Sequence, residues 1–186
     1  MHGHPGSPVV IVLAAGRGER FAASGAGVHK LQALLAGKPV LDHVLAAVRA
    51  SNLPFHVVGA DASRPGMGDS IAAGVRATPD AAGWLILPAD LPLVTAATLR
   101  TMAEASQKTV SVPVYQGQRG HPVRFDSSCG PALMALAGSQ GAASVLKAQM
   151  AVDGVAFVDV DDAGIVMDID TLDDLQRAEN LLAQRR

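Results

Sequence analysis

Residues 13–20 read LAAGRGER, and a lysine stands at position 30. A ligand can approach glycine backbone closely because no side chain blocks it. Consecutive free N–H groups at such a strand end can cradle an anion. Arg17, Arg20 and Lys30 add mobile positive charge beside Leu13, Ala14, Ala15, Gly16 and Gly18. Together these groups suit a polyphosphate, which needs N–H donors and cations at once. An ordinary strand-to-helix turn carrying solvated arginines is the plainer alternative.

Two acidic stretches complement this loop. LILPADLPL places Asp90 just past an apolar run, between Pro88 and Pro92, which stiffen the loop and fix where the carboxylate points. A carboxylate there, in one crevice with a phosphate loop, suits Mg²⁺, which takes one or two carboxylates plus phosphate oxygens. Equally, Asp90 could cap the helix expected from Thr95 or close a turn. VMDIDTLDDL supplies Asp168 and Asp170, which alternate along an extended segment and so share a side. Asp170 is also a candidate N-cap of the last helix. Asp161 and Asp162 read as a solvated turn.

Several other chemistries fail on spacing. Lys30 lies between His29 and Leu31, so the P-loop pattern is absent. A dinucleotide fingerprint starting at Gly16 and Gly18 meets Phe21 where its last glycine belongs. GDSIA around Ser70 resembles a nucleophile elbow but has Ala72 in place of the second glycine. The histidines lack H-E-x-x-H spacing. A phospho-acceptor domain would need acidic residues after the first strand, where this chain has Gly and Arg.

The elements that must hold these residues follow from composition and period. The 186 residues, 49% apolar and 17% charged, suit one domain spanning 1–186, with 1–8 flexible. A net charge of −2 without a basic tract argues against nucleic acid or an anionic membrane as partner. Cys129 is the sole cysteine, which fits a reducing cytoplasm. VVIVLAA is too short to span a bilayer. It reads instead as a buried strand over Val9–Ala15. Further strands are expected over Phe55–Val58, Trp84–Leu87, Val110–Val114 and Val155–Val160. Helices are expected over Leu41–Ala50, Ser70–Ala77, Thr95–Ala105 with Thr95 as N-cap, and Thr171–Ala183. QGQRGHPVRF reads as a hairpin or antiparallel excursion, and residues 21–29 as a loop of doubtful order. Alternating strands and helices imply an α/β fold with a mainly parallel sheet, whose ligands lie beyond the strands' carboxyl ends. That rule selects the loops after Ala15 and Leu87.

The ordered set LAAGRGERF, HKL, LLAGKPVLDHVL, GMGDSIAAGV, GWLILPADLPLV, RGHPVRF and MDIDTLDDL resembles the MobA-like NTP transferase family, most closely its molybdenum cofactor cytidylyltransferase branch. The resemblance runs from about Val9 to the final helix. It implies a Rossmann-like α/β/α sandwich of the nucleotide-diphospho-sugar transferase type. It also implies an Mg²⁺-dependent enzyme that moves a nucleoside monophosphate, CMP from CTP in this branch, onto a phosphorylated acceptor such as molybdopterin. Pyrophosphate leaves. By the same resemblance Leu13 to Gly16, with Arg17 and Gly18 in the same loop, contact the nucleotide, and Arg20 and Lys30 hold the triphosphate. Asp90 and Asp170, with Asp168 nearby, take the metal. Gly66, Met67, Gly68 and Ser70 line the nucleoside pocket, and Arg119 and His121 face the acceptor. Three features depart from the family pattern: the longer FAASGAGVH segment, Leu91 in place of glutamine, and Leu172 in place of proline. They keep two other readings open, a non-catalytic module that delivers cofactor to a molybdoenzyme and a sugar-phosphate nucleotidyltransferase.

Overall fold

Runs of Val, Ile and Leu such as VVIVLA and GWLILP are stable as strands only when both faces are covered. The computed structural model describes residues 6–16, 18–61, 63 and 66–184, and it covers them that way. Strand β1 (Val9–Ala14) leads into the short helix α1 (Glu19–Ala23) and a 3-10 turn at Lys30–Gln32. A small hairpin of β2 (Leu34–Leu35) and β3 (Lys38–Pro39) follows. The chain then alternates through α2 (Val40–Ser51), β4 (Phe55–Gly59), α3 (Met67–Arg76), β5 (Gly83–Pro88) and α4 (Ala96–Glu104). Next come β6 (Val110–Tyr115), β7 (Gln118–Arg119), β8 (Val123–Asp126), α5 (Gly130–Met134), α6 (Ala143–Ala151), β9 (Val155–Asp159) and α7 (Leu172–Gln184).

The main sheet has seven strands in the order β4-β1-β5-β8-β6-β7, with β9 on the other side of β6. β1 runs parallel to β4 and β5, and β6 runs parallel to β9. β8 lies antiparallel between β5 and β6, and β6 and β7 form a tight hairpin. Gln116 and Gly117 both adopt positive φ, which a two-residue hairpin turn requires. The antiparallel excursion expected after Tyr115 is therefore present.

The strict alternation of strand side chains divides the core in two. Val10, Val12, Leu85 and Leu87 face α2, α4 and α7 through Val44, Val48, Leu99, Met102 and Ala178. Ile11, Trp84, Ile86 and Phe125 face α3, α5 and α6 through Ile71, Val75, Leu133 and Val145. The result is the expected α/β/α sandwich, mainly parallel and interrupted by β8. Among the described residues, no helix is long and apolar enough to cross a membrane.

Two sequence-based expectations need correction. The segment 21–29 begins within α1, and Phe21 is buried in the core, so its first residues are anchored by apolar burial. Of the amino-terminal stretch 1–8, residues 1–5 lie outside the described residues, while Pro8 is buried. Asp161 is exposed, as a turn residue should be, but Asp162 is 3% exposed. Its carboxylate accepts hydrogen bonds from the Thr95 amide at 2.9 Å, the Thr98 hydroxyl at 2.7 Å and the Gly164 amide at 2.9 Å. It ties the start of α4 to the turn after β9. Thr95 caps α4 as expected, accepting from the Thr98 amide.

Burial alone would raise the carboxyl pKa of Asp162, but the bonds from Thr98, Thr95 and Gly164 outweigh it and hold it below the ordinary range. The carboxylate's contribution is therefore fully present above the unfolded pKa near ~4 and is lost as pH falls through the lower folded value. Asp162→Asn should lower unfolding free energy at pH 7 by roughly 2–4 kcal/mol. In urea melts across pH, the gap between wild type and variant should hold above pH ~4 and narrow below it. A gap that widens on acidification contradicts this assignment.

Candidate active site

The site forms where neighbouring parallel strands end at the same edge. β1 and β5 pair in register from Val9 opposite Trp84 to Leu13 opposite Pro88, so both release their following loops side by side. The Ala89 amide donates to the Leu13 carbonyl at 3.0 Å and holds the Asp90 loop against the glycine-rich turn. The third segment arrives through the backbone: the Ile169 amide donates to the Asp90 carbonyl at 2.9 Å. Ile169 itself is fully buried, so Asp168 and Asp170 on either side of it are turned the other way, toward the cleft. The resulting cleft is about 570 Å³.

Both plainer roles proposed for the acidic residues are filled by others. The start of α7 is capped by Thr171, whose hydroxyl accepts from the Asp174 amide, while the Asp174 carboxylate accepts from the Asp170 amide and the Thr171 hydroxyl. The Asp170 carboxylate is thereby left for the cleft. Asp90 does not cap α4, since Thr95 and Asp162 serve that helix.

Lys30 reaches between the two carboxylates. Its ammonium lies 2.6 Å from Asp90 Oδ2 and 3.0 Å from Asp170 Oδ1. Arg20, exposed on α1, adds an ion pair to the other oxygen of Asp170. Burial by itself lowers the Lys30 pKa, but the charges of Asp90 and Asp170 and their hydrogen bonds outweigh it, and the group is held above its ordinary value. The arginine of the glycine loop is therefore engaged with the acidic tail, not merely solvated.

A residue the sequence did not flag places this lysine. His29 accepts from the Leu31 amide through Nδ1, and its Nε2 lies 2.8 Å from the Gly16 carbonyl oxygen. It fastens the 3-10 turn to the glycine loop, while Leu31 is buried beside it. Only that burial, a Leu after His-Lys, could have hinted at the arrangement. A second unflagged contact lies nearby, where the Leu172 amide donates to Ser24 Oγ at 3.2 Å.

Most of the expected nucleotide and acceptor residues share this cleft. Leu13, Ala15, Gly16, Gly66, Met67 and Ser70 line it, as do Arg119, His121 and Asp168. Ala14, Gly18 and Gly68 do not. Gly18 is instead the left-handed residue before α1, with φ of 66°. Gly68 donates its amide to the Gly138 carbonyl at 2.8 Å. A Cβ on Gly66 would overlap that same carbonyl, so glycine there lets α3 dock closely. Arg17 lies outside the described residues. The Ser70 hydroxyl donates to the Gly66 carbonyl and is 2% exposed, which fits wall-building. Burial lowers the His121 pKa against the opposing influence of the Ile86 backbone, Asp90 and Asp168, so its ring is neutral at pH 7.

A second chamber of about 300 Å³ opens from the same region past Met67, Arg119 and His121. Its walls are mainly apolar, with Ile71, Ile86, Val112, Val123, Phe125 and Leu146, and Gln140 adds a polar group to those of Arg119 and His121.

The donor set bears on a metal. Among the described residues, no three acidic, histidine or cysteine groups gather into a closed cage. Asp168 stands at the rim without joining the ion pairs. Partial desolvation of its carboxyl, with the like charges of Asp170, Asp90 and Asp174, raises its pKa. Asp90 and Asp170, however, already share one cation, the Lys30 ammonium. Two hard oxygen donors converging on one cationic position fit a divalent ion such as Mg²⁺ that completes its shell with phosphate and water.

Known proteins with this architecture place the cleft in context. The MobA-like NTP transferase domain model matches residues 10–64 and 50–153. The purine catabolism protein PucB of Bacillus subtilis is 28% identical over 87% of this chain and 90% of its own length. A nucleotidyl transferase from Methanothermobacter thermautotroptrophicus superposes with a TM-score of 0.80 at 22% identity, covering 97% of this chain and 99% of its own. Molybdopterin-guanine dinucleotide biosynthesis protein A from Archaeoglobus fulgidus superposes with a TM-score of 0.61 at 19% identity, covering 95% and 99%. The matched model spans the glycine loop, the Lys30 turn, the Asp90 loop and the β6–β8 segment, and the chain belongs to the MobA-like NTP transferase domain family, a family of nucleotidyltransferases.

Proposed function

We propose that this nucleotidyltransferase moves CMP from CTP to the terminal phosphate of molybdopterin, with Mg²⁺ as its metal, and releases pyrophosphate. The observation that carries the reading is the convergence of Asp90, Asp170, Lys30 and Arg20 opposite the glycine loop. Paired carboxylates and cations at one place match the complementary needs of a metal and a triphosphate.

Asp90 and Asp170 would hold the divalent ion, which when bound would supply charge neutralisation to the phosphates. Leu13, Ala15 and Gly16 offer a backbone wall on which the nucleotide rests. Lys30 and Arg20 pair with the triphosphate and stabilise the charge that builds on the departing pyrophosphate. An acceptor phosphate oxygen attacks the α-phosphorus in line while the bond to the bridging oxygen of the β-phosphate breaks. The acceptor phosphate is already ionised, so no general base is needed. That agrees with His121, a half-buried histidine on the cleft wall whose pKa is lowered.

The chamber beyond Met67 and His121 offers apolar contact to the flat faces of an acceptor's ring, while Arg119, His121 and Gln140 on its wall can meet polar ring edges. The base preference rests on Ala14-Ala15, which resembles the cytidylyl branch. The reading with no chemistry, a cofactor-delivery module, gains nothing from Leu91, because that side chain is 3% exposed and packed in the core, while both carboxylates remain.

Three measurements test the reading. Asp90→Ala should cut pyrophosphate release by a factor of at least ~10³, since it removes an anchor of the charge-stabilising group; near-normal turnover contradicts the metal assignment. In a screen of CTP, GTP and ATP with molybdopterin, CTP should give the highest kcat/KM, and a GTP preference overturns the base assignment. Leu146→Asp should raise the acceptor KM by about tenfold or more while leaving the CTP KM within about twofold, as charge in the apolar chamber opposes ring burial. Equal changes in both contradict an acceptor role for that chamber.

A further inference from the structure

Lys30 occupies the position a metal would need. Its ammonium sits 2.6 Å from Asp90 and 3.0 Å from Asp170, and its side chain is only 11% exposed. The turn that carries it is fixed by buried Leu31 and by His29, which bonds both to the Leu31 amide and at the Gly16 carbonyl. Only the side chain of Lys30 is free to choose partners, and Gly16 belongs to the loop assigned to the nucleotide.

We propose that Lys30 is an internal counter-ion that keeps the Asp90–Asp170 position closed to free divalent metal until a nucleoside triphosphate draws its ammonium away. This rests on the nucleotidyltransferase reading above. Asp90 and Asp170 are paired with Lys30 and Arg20, two charges against two. A metal arriving alone has to displace Lys30 from both carboxylates and leave a largely buried ammonium beside a dication, unpaired, which is strongly unfavourable. A triphosphate changes the pairing. Its oxygens offer Lys30 and Arg20 new anionic partners and release both carboxylates together. Metal and nucleotide therefore bind with positive coupling, and each raises the other's affinity by the same factor. Arg20, with a side chain 81% exposed, is screened by solvent and closes the site far less than Lys30.

The test is Mn²⁺ binding to the full-length chain, read by electron paramagnetic resonance of free Mn²⁺, without nucleotide and with α,β-methylene-CTP, corrected for Mn²⁺ bound by the nucleotide alone. Without nucleotide, Lys30→Met should bind Mn²⁺ at least about tenfold more tightly than wild type, within the usual range of site coupling. Arg20→Gln removes the same formal charge and should change it by less than about threefold, as expected for an exposed pair. With the analogue, wild type should gain affinity and Lys30→Met should gain much less. If Lys30→Met fails to fold, Lys30→Gln, which keeps a polar side chain, is read the same way. Unchanged nucleotide-free affinity in the Lys30 variant overturns the proposal, as does an equal gain in Arg20→Gln. Absence of protein-bound Mn²⁺ in every protein even with the analogue overturns the nucleotidyltransferase reading beneath it, a result distinct from the other two.

Discussion

Two carboxylates held within reach of one cation repel each other, and much of this chain is arranged to keep Asp90 and Asp170 in that relation. Three backbone facts enforce it. β1 and β5 end together because they pair in parallel register. The Ala89 amide binds the Leu13 carbonyl, and the Ile169 amide binds the Asp90 carbonyl. None depends on a charged side chain, so the acidic pair is imposed by the sheet and its loops. Lys30 then resolves the repulsion, and the site acquires its character as a place where cation partners can be exchanged.

The same strand alternation that divides the core also sets two spaces beside the carboxyl edge. At the carboxyl edge of β1 and β5, the charged cleft faces the loops, and the apolar chamber lies against the face carrying Ile86, Val112, Val123 and Phe125. β8, reversed between β5 and β6, supplies two of those walls. His121 and Arg119 sit where the two spaces meet.

What the sequence made legible follows from local physics. The runs VVIVLA and GWLILP could only be covered strands, and Pro88 and Pro92 flagged the Asp90 loop. Alternation in MDIDTL showed that Asp168 and Asp170 share a side, and the buried Ile169 between them bears this out. The roles decided by distant partners were not legible. Asp162 looked like a solvated turn residue because nothing nearby in sequence reveals Thr95 and Thr98 as its donors. Asp170 was a candidate cap by residue type, but Thr171 takes that place by accepting from the Asp174 amide, and Asp174 bonds back to the Asp170 amide. The helices α1 and α5 escaped notice because five residues carry too little period to register, and α6, as long as α4, because its apolar residues do not gather on one face. Nor does spacing tell that Lys30 and Arg20 would pair with the acidic tail, since that contact spans about the whole chain.

The most direct test is a crystal structure of the protein with Mn²⁺ and α,β-methylene-CTP, with Mn²⁺ located by its anomalous signal. The account predicts one Mn²⁺ bound by Asp90 and Asp170 and by phosphate oxygens, with the Lys30 ammonium moved onto the triphosphate at about 3 Å. Mn²⁺ elsewhere, or Lys30 still seated between the two carboxylates beside a bound nucleotide, would contradict it.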